Sequence, residues 1–79
     1  TMIRIYGAEY LSKNTEEGKG IYDFVLYADT AAELAEVTEI NGKAISAGST
    51  AITGDGKGLI FTSKNEWHDV SNGTAITGA

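Results

Sequence analysis

Apolar and polar positions alternate over residues 2–11 (MIRIYGAEYL), with Ile3 and Ile5 on one side and Arg4 and Tyr6 on the other, the period of a strand wetted on one face. Residues 13–20 (KNTEEGKG) are polar with two glycines and predict a loop, most simply that of a hairpin. The strongest strand signal follows in residues 21–29 (IYDFVLYAD), rich in aromatic and branched side chains. There Tyr22, Phe24, Leu26 and Ala28 share the face expected to meet the core, and Ile21, Asp23, Val25 and Tyr27 share the other. At Thr30-Ala31-Ala32-Glu33 the pattern changes to that of a capping box, in which the threonine hydroxyl and the glutamate carboxylate satisfy each other's backbone amides. This predicts a helix of about two turns over residues 30–37, packing Ala31, Leu34 and Val37 or Ala35 on the sheet and leaving Glu33 and Glu36 in water.

Asn41-Gly42 ends that helix or makes a tight turn. Beyond it lie short apolar runs separated by glycine, asparagine and lysine, which read as short strands and turns. Residues 54–58 (GDGKG) fit a hairpin loop, Lys64-Asn65-Glu66 a second turn, and Leu59, Phe61 and Trp67 a shared face. The pentapeptide TAITG occurs at residues 50–54 and 74–78. Two copies are too few for a solenoid, which needs about three repeats, and they predict two similar edge strands. The expected fold is therefore α+β, a small and mostly antiparallel sheet with hairpins and one short helix. Its expected core is Phe24, Leu26, Leu34, Leu59, Phe61 and Trp67.

Seventy-nine residues leave room for one small domain. Thr1 precedes the only methionine and reads as a cloning remnant, so the domain is taken as residues 2–79. The chain has no cysteine, which excludes a disulfide framework, a thiol nucleophile and a thiolate zinc site. Eleven carboxylates against six basic residues give a net charge of −5. That balance repels phosphate backbones and anionic lipid, so neither nucleic acid nor membrane is an expected partner. The longest apolar run, residues 24–28, is far short of the roughly 20 residues of a membrane span. No basic stretch with an apolar run opens the chain, the expectation for a soluble, unprocessed protein.

Catalytic apparatus is not expected. Each Gly-Lys pair is followed by glycine or alanine where a phosphate loop needs a hydroxyl, and the glycines at 54, 56 and 58 lie between strands where a dinucleotide turn needs a helix. Asp55 offers one carboxylate where a calcium loop needs several. His68 is the only histidine, and its neighbour Asp69 points to the opposite face, so the ring is expected in water without a carboxylate to orient it. Glu33, Glu36 and Glu39 read as a solvated helical face, and Asn72-Gly73-Thr74 matches a glycosylation acceptor only by its composition. No cofactor or metal is expected. Tyrosines on two strands of an undersized sheet suit a subunit interface, so Tyr6, Tyr10, Tyr27 and Trp67 are the candidate interaction residues.

The order of these parts resembles a diffuse group of short proteins encoded among the virion genes of tailed bacteriophages and prophages. The parts are an acidic-Thr-x-x-Glu-Leu start (residues 29–34), a Gly48-Ser49-Thr50-Ala51 strand, an Asp55-Gly56 turn, the apolar Leu59-Ile60-Phe61 and a terminal Glu66-Trp67 strand. The resemblance covers roughly residues 27–70, about half of the chain. It implies a non-catalytic accessory virion protein, made in the bacterial cytoplasm, that self-associates or attaches to a capsid or tail protein. The alternative is a small cytoplasmic bacterial module that recognises a carbohydrate or a protein edge through Trp67 and the tyrosines.

Overall fold

The computed structural model describes residues 2–14, 16 and 18–78. Thr1, and with it the reading of that residue as a cloning remnant, lies outside the described residues. Among the described residues seven strands form one sheet. They are β1 (Ile3–Asn14), β2 (Lys19–Ala28), β3 (Glu39–Ile40), β4 (Lys43–Ile45), β5 (Thr50–Thr53), β6 (Gly58–Phe61) and β7 (Trp67–Asp69). The predicted hairpins are present. β1 and β2 run antiparallel, Asn41 and Gly42 at φ 52° and 79° join β3 to β4 in a two-residue turn, and β5 joins β6 through the glycine-rich loop.

β2 is the spine. One edge carries β1 along its length. The other edge carries β4 beside Ile21 and Tyr22 and then β5 beside Val25 to Ala28, both parallel to β2. The sheet is thus mixed: among the described residues four strand pairings are antiparallel, in line with the mostly antiparallel sheet expected, and two are parallel. Between β4 and β5 the ladder is broken, and Ser49 fills the break: its hydroxyl, fully buried, accepts the Phe24 N–H at 3.0 Å. A buried amide without that partner would cost about 1–3 kcal/mol.

The predicted two-turn helix is corrected to one 3₁₀ turn, Ala31–Leu34, so the domain is β-rich with almost no helix. Thr30 is extended and makes no side-chain cap. The amides of Glu33, Ala35 and Val37 bond to carbonyls three residues back, at 3.3, 3.2 and 3.1 Å. That spacing stacks Ala31 and Leu34 on one side, and both are buried. Two anchors are all this short segment needs, and a helix of its length gains little from propagation. Glu33 is half-buried instead of solvated, and Glu39 lies on β3, where it pairs with Lys19.

The core holds the six expected side chains at 1% exposure or less, joined by Ala28, Ala31, Ile45 and Ala51. Phe61 and Trp67 meet at 5.1 Å between ring centres. The two TAIT copies differ, which corrects their reading as twin edge strands. The first is the interior strand β5, with Ala51 and Thr53 buried and Ile52 facing out. Among the described residues the second pairs with the sheet through the single Ala75–His68 bridge, and its Ile76 packs against the core.

Candidate interaction surface

One face of the sheet covers the core; the other carries an apolar band. The register aligns Arg4, Tyr27, Ile52 and Gly58 across β1, β2, β5 and β6 in one row. Val70 extends that row, its amide bonded to the Gly58 carbonyl at 3.0 Å. A second row runs Gly7, Val25, Thr50, Ile60, His68. Val25, Ile52, Ile60 and Val70 on these rows are 47%, 56%, 37% and 61% exposed. Scattered exposed apolar residues need no explanation, but adjacent ones on one face form a patch of the kind that binds.

Tyr6 and Tyr27 join this band with ring centres 6.3 Å apart, and the Arg4 guanidinium lies 5.2 Å from the Tyr27 ring. Desolvation, with Asp29 next, holds the Tyr27 phenol above its ordinary pKa. Tyr10 is not part of it: it lies on the core side of the β1–β2 hairpin, edge-on to Tyr22 at 5.5 Å, and more than half exposed. Trp67 is corrected out of the surface altogether. It is buried, and its indole N–H donates to the Val37 carbonyl at 3.0 Å. The structure therefore brings Tyr6 and Tyr27 together and leaves Tyr10 and Trp67 elsewhere. Val25, which the alternation places on the face away from the core, and Ile52, Ile60 and Val70 are interaction residues that the sequence reading lacks; in TAIT the alternation that buries Ala51 already turns Ile52 outward.

His68 lies on the outer face, as expected, but its ring is held instead of free. Glu66, two residues back on the same face, accepts one ring nitrogen at 3.1 Å, and the Gly73 carbonyl lies 3.0 Å from the other. Two acceptors suit the doubly protonated ring, and the imidazole pKa is raised, first by Glu66 and then by Gly73. Asn72, the glycosylation-like residue, accepts from the amide and hydroxyl of Thr74 at 3.0 and 2.6 Å and so shapes the same turn.

A polar cleft of about 270 Å³ lies near the 3₁₀ turn, lined by Asp55, Lys57, Asp69, Asn72 and Thr74 among others. Its carboxylates are already engaged. Asp55 accepts from Thr53, and Asp69 from the amide and hydroxyl of Ser71 at 2.9 and 2.7 Å. These bonds lower both pKa values. Among the described residues no three His, Asp or Glu side chains are grouped to hold a metal, and no helix is long and apolar enough to cross a membrane. Compared with known protein families, characterised proteins and solved structures, the chain matches none.

Proposed function

We propose that this chain is a non-catalytic accessory protein of a tailed-bacteriophage or prophage virion, acting by self-association and attachment to a capsid or tail protein. The observation that supports action by association is the uncovered apolar band of Tyr6, Tyr27, Val25, Ile52, Ile60 and Val70. The virion assignment rests on the resemblance of residues 27–70. A domain this small gains stability by closing such a face against a neighbour, and many identical copies on a shell supply neighbours. The alternative module, reading a carbohydrate or protein edge through Trp67 and the tyrosines, loses Trp67, whose ring is in the core, and keeps only the exposed tyrosines.

Co-sedimentation with assembled tailed-phage particles tests the reading. The native chain is expected to pellet with them, and Ile52→Glu, which changes an exposed side chain, is expected to stay in solution while keeping the native circular dichroism. A native chain that never pellets would remove the attachment role.

A further inference from the structure

β1 is a long open edge. It pairs only with β2, and among the described residues no strand lies on its other side. Of its residues Ile3 and Gly7 are half-buried, and Arg4, Ile5, Tyr6 and residues 8–13 are exposed. The far end of the sheet is shielded by contrast, with the Ala75 bridge against β7. An unpaired row of amides and carbonyls is a template for another strand. Proteins blunt such an edge with charges, prolines or bulges; β1 has no proline and carries bulges between Ile5 and Gly7 and between Tyr10 and Ser12, which leave residues 7–10 as a regular stretch.

The pairing of β1 with β2 fixes which face each β1 residue takes. Ile3, Ile5, Ala8 and Tyr10 lie opposite Ala28, Leu26, Phe24 and Tyr22 on the core side. Arg4, Gly7 and Glu9 lie opposite Tyr27, Val25 and Asp23 on the outer side, and Tyr6, in the bulge between Ile5 and Gly7, joins Tyr27 there. Glu9 directly opposite Asp23 is a like-charge cross-strand pair, unfavourable as it stands.

We propose that a second copy of this chain docks antiparallel on β1, in the register that sets Arg4 of each copy opposite Glu9 of the other and continues the sheet through a two-fold axis. This deepens the self-association part of the proposed function and rests on it. In that register Ile3 meets Tyr10 and Ile5 meets Ala8 on the core side, while Arg4 meets Glu9 and Tyr6 meets Gly7 on the outer side. Every pair matches face for face. Two Arg4–Glu9 pairs form per dimer, each bringing a cation to the Glu9–Asp23 repulsion. The exposed Tyr6 ring covers a glycine that has no side chain of its own, the arrangement by which aromatic residues rescue glycine in sheets. The bulge falls at the two-fold axis, where it is mirrored by its mate. A shift of one residue either way sets Glu9 against Ile3 or Ile5, a carboxylate of one face against an apolar side chain of the other.

Charge reversal reads this register directly. Arg4→Glu puts glutamate opposite glutamate twice, and Glu9→Arg puts arginine opposite arginine twice. Each variant alone is expected to dimerise about tenfold more weakly than the native chain in sedimentation equilibrium. An equimolar mixture of the two makes both pairs complementary, so heterodimers should form with close to native affinity, and the double variant R4E/E9R should recover as well. If the native chain dimerises but the single variants dimerise equally, or their mixture does not recover, the β1 register is wrong while self-association stands. A native chain monomeric up to millimolar concentration would overturn both.

Discussion

Trp67 donates its indole N–H to the carbonyl of Val37, 3.0 Å away, and this bond ties the last strand of the sheet to the segment that follows the 3₁₀ turn. The two residues are thirty apart in sequence. Trp67→Phe keeps most of the ring packing against Phe61 but leaves the Val37 carbonyl without its partner. Urea unfolding should show a loss of about 1–3 kcal/mol, and Phe24→Ala or Phe61→Ala a larger loss of roughly 3–5 kcal/mol. Unchanged midpoints would remove these rings from the core.

Ser49→Ala is expected to destabilise although it deletes one oxygen. The hydroxyl is fully buried, accepts the Phe24 amide, and lies 3.4 Å from an Asp23 carboxylate oxygen. Hydrogen exchange should be faster at the Phe24 amide than at its neighbours in β2, and the stability loss should be about 1–3 kcal/mol. Ser46 gives the control: its buried hydroxyl has no hydrogen-bond partner among the described residues, so Ser46→Ala should be neutral or slightly stabilising.

Gly54 tolerates no side chain. A methyl group built there would lie 2.8 Å from the Asp29 carbonyl oxygen and 2.7 Å from the Tyr27 hydroxyl, and the backbone cannot yield because the Gly54 amide bonds Ala28 at 2.9 Å. Gly54→Ala should lower the melting temperature more than an alanine at Gly42, where the added atom meets nothing and the cost is the positive φ alone, about 1 kcal/mol.

His68 makes the closing turn pH-sensitive. Its folded pKa is raised above the ordinary 6.5 by Glu66 and the Gly73 carbonyl. The contribution of the charged ring is therefore complete below the unfolded value and is lost as pH rises through the folded one. An NMR titration should place the imidazole above 6.5, and Glu66→Gln should bring it down. A titration midpoint below 6.5 in the native chain would contradict the bracketed geometry.

Much of the fold is legible in the sequence because period-two alternation is a local signal. It assigns the Phe24–Leu26 face and the Leu59–Phe61 face, and the Asn41-Gly42 dipeptide, equally local, offers the turn. What escapes is set by distant partners. Thr30 and Glu33 spell a helix start, yet burial of Ala31 and Leu34 and the return to β3 leave space for one turn. TAITG spells the same strand twice, and only the β2 edge decides that the first copy is an interior strand while Ile76 of the second packs inward. Of the surface, Tyr6 and Tyr27 were legible as tyrosines on paired strands. Trp67 was assigned to both core and surface, and the Val37 carbonyl that holds its indole lies too far along the chain for any local pattern to show.

Sedimentation of the native chain near physiological salt, alone and with assembled tailed-phage particles, tests its association most directly. Mass above that of a single 8.3 kDa chain, rising reversibly with concentration, together with pelleting alongside particles, is the predicted result. A strict monomer at high concentration that stays in the supernatant would contradict it.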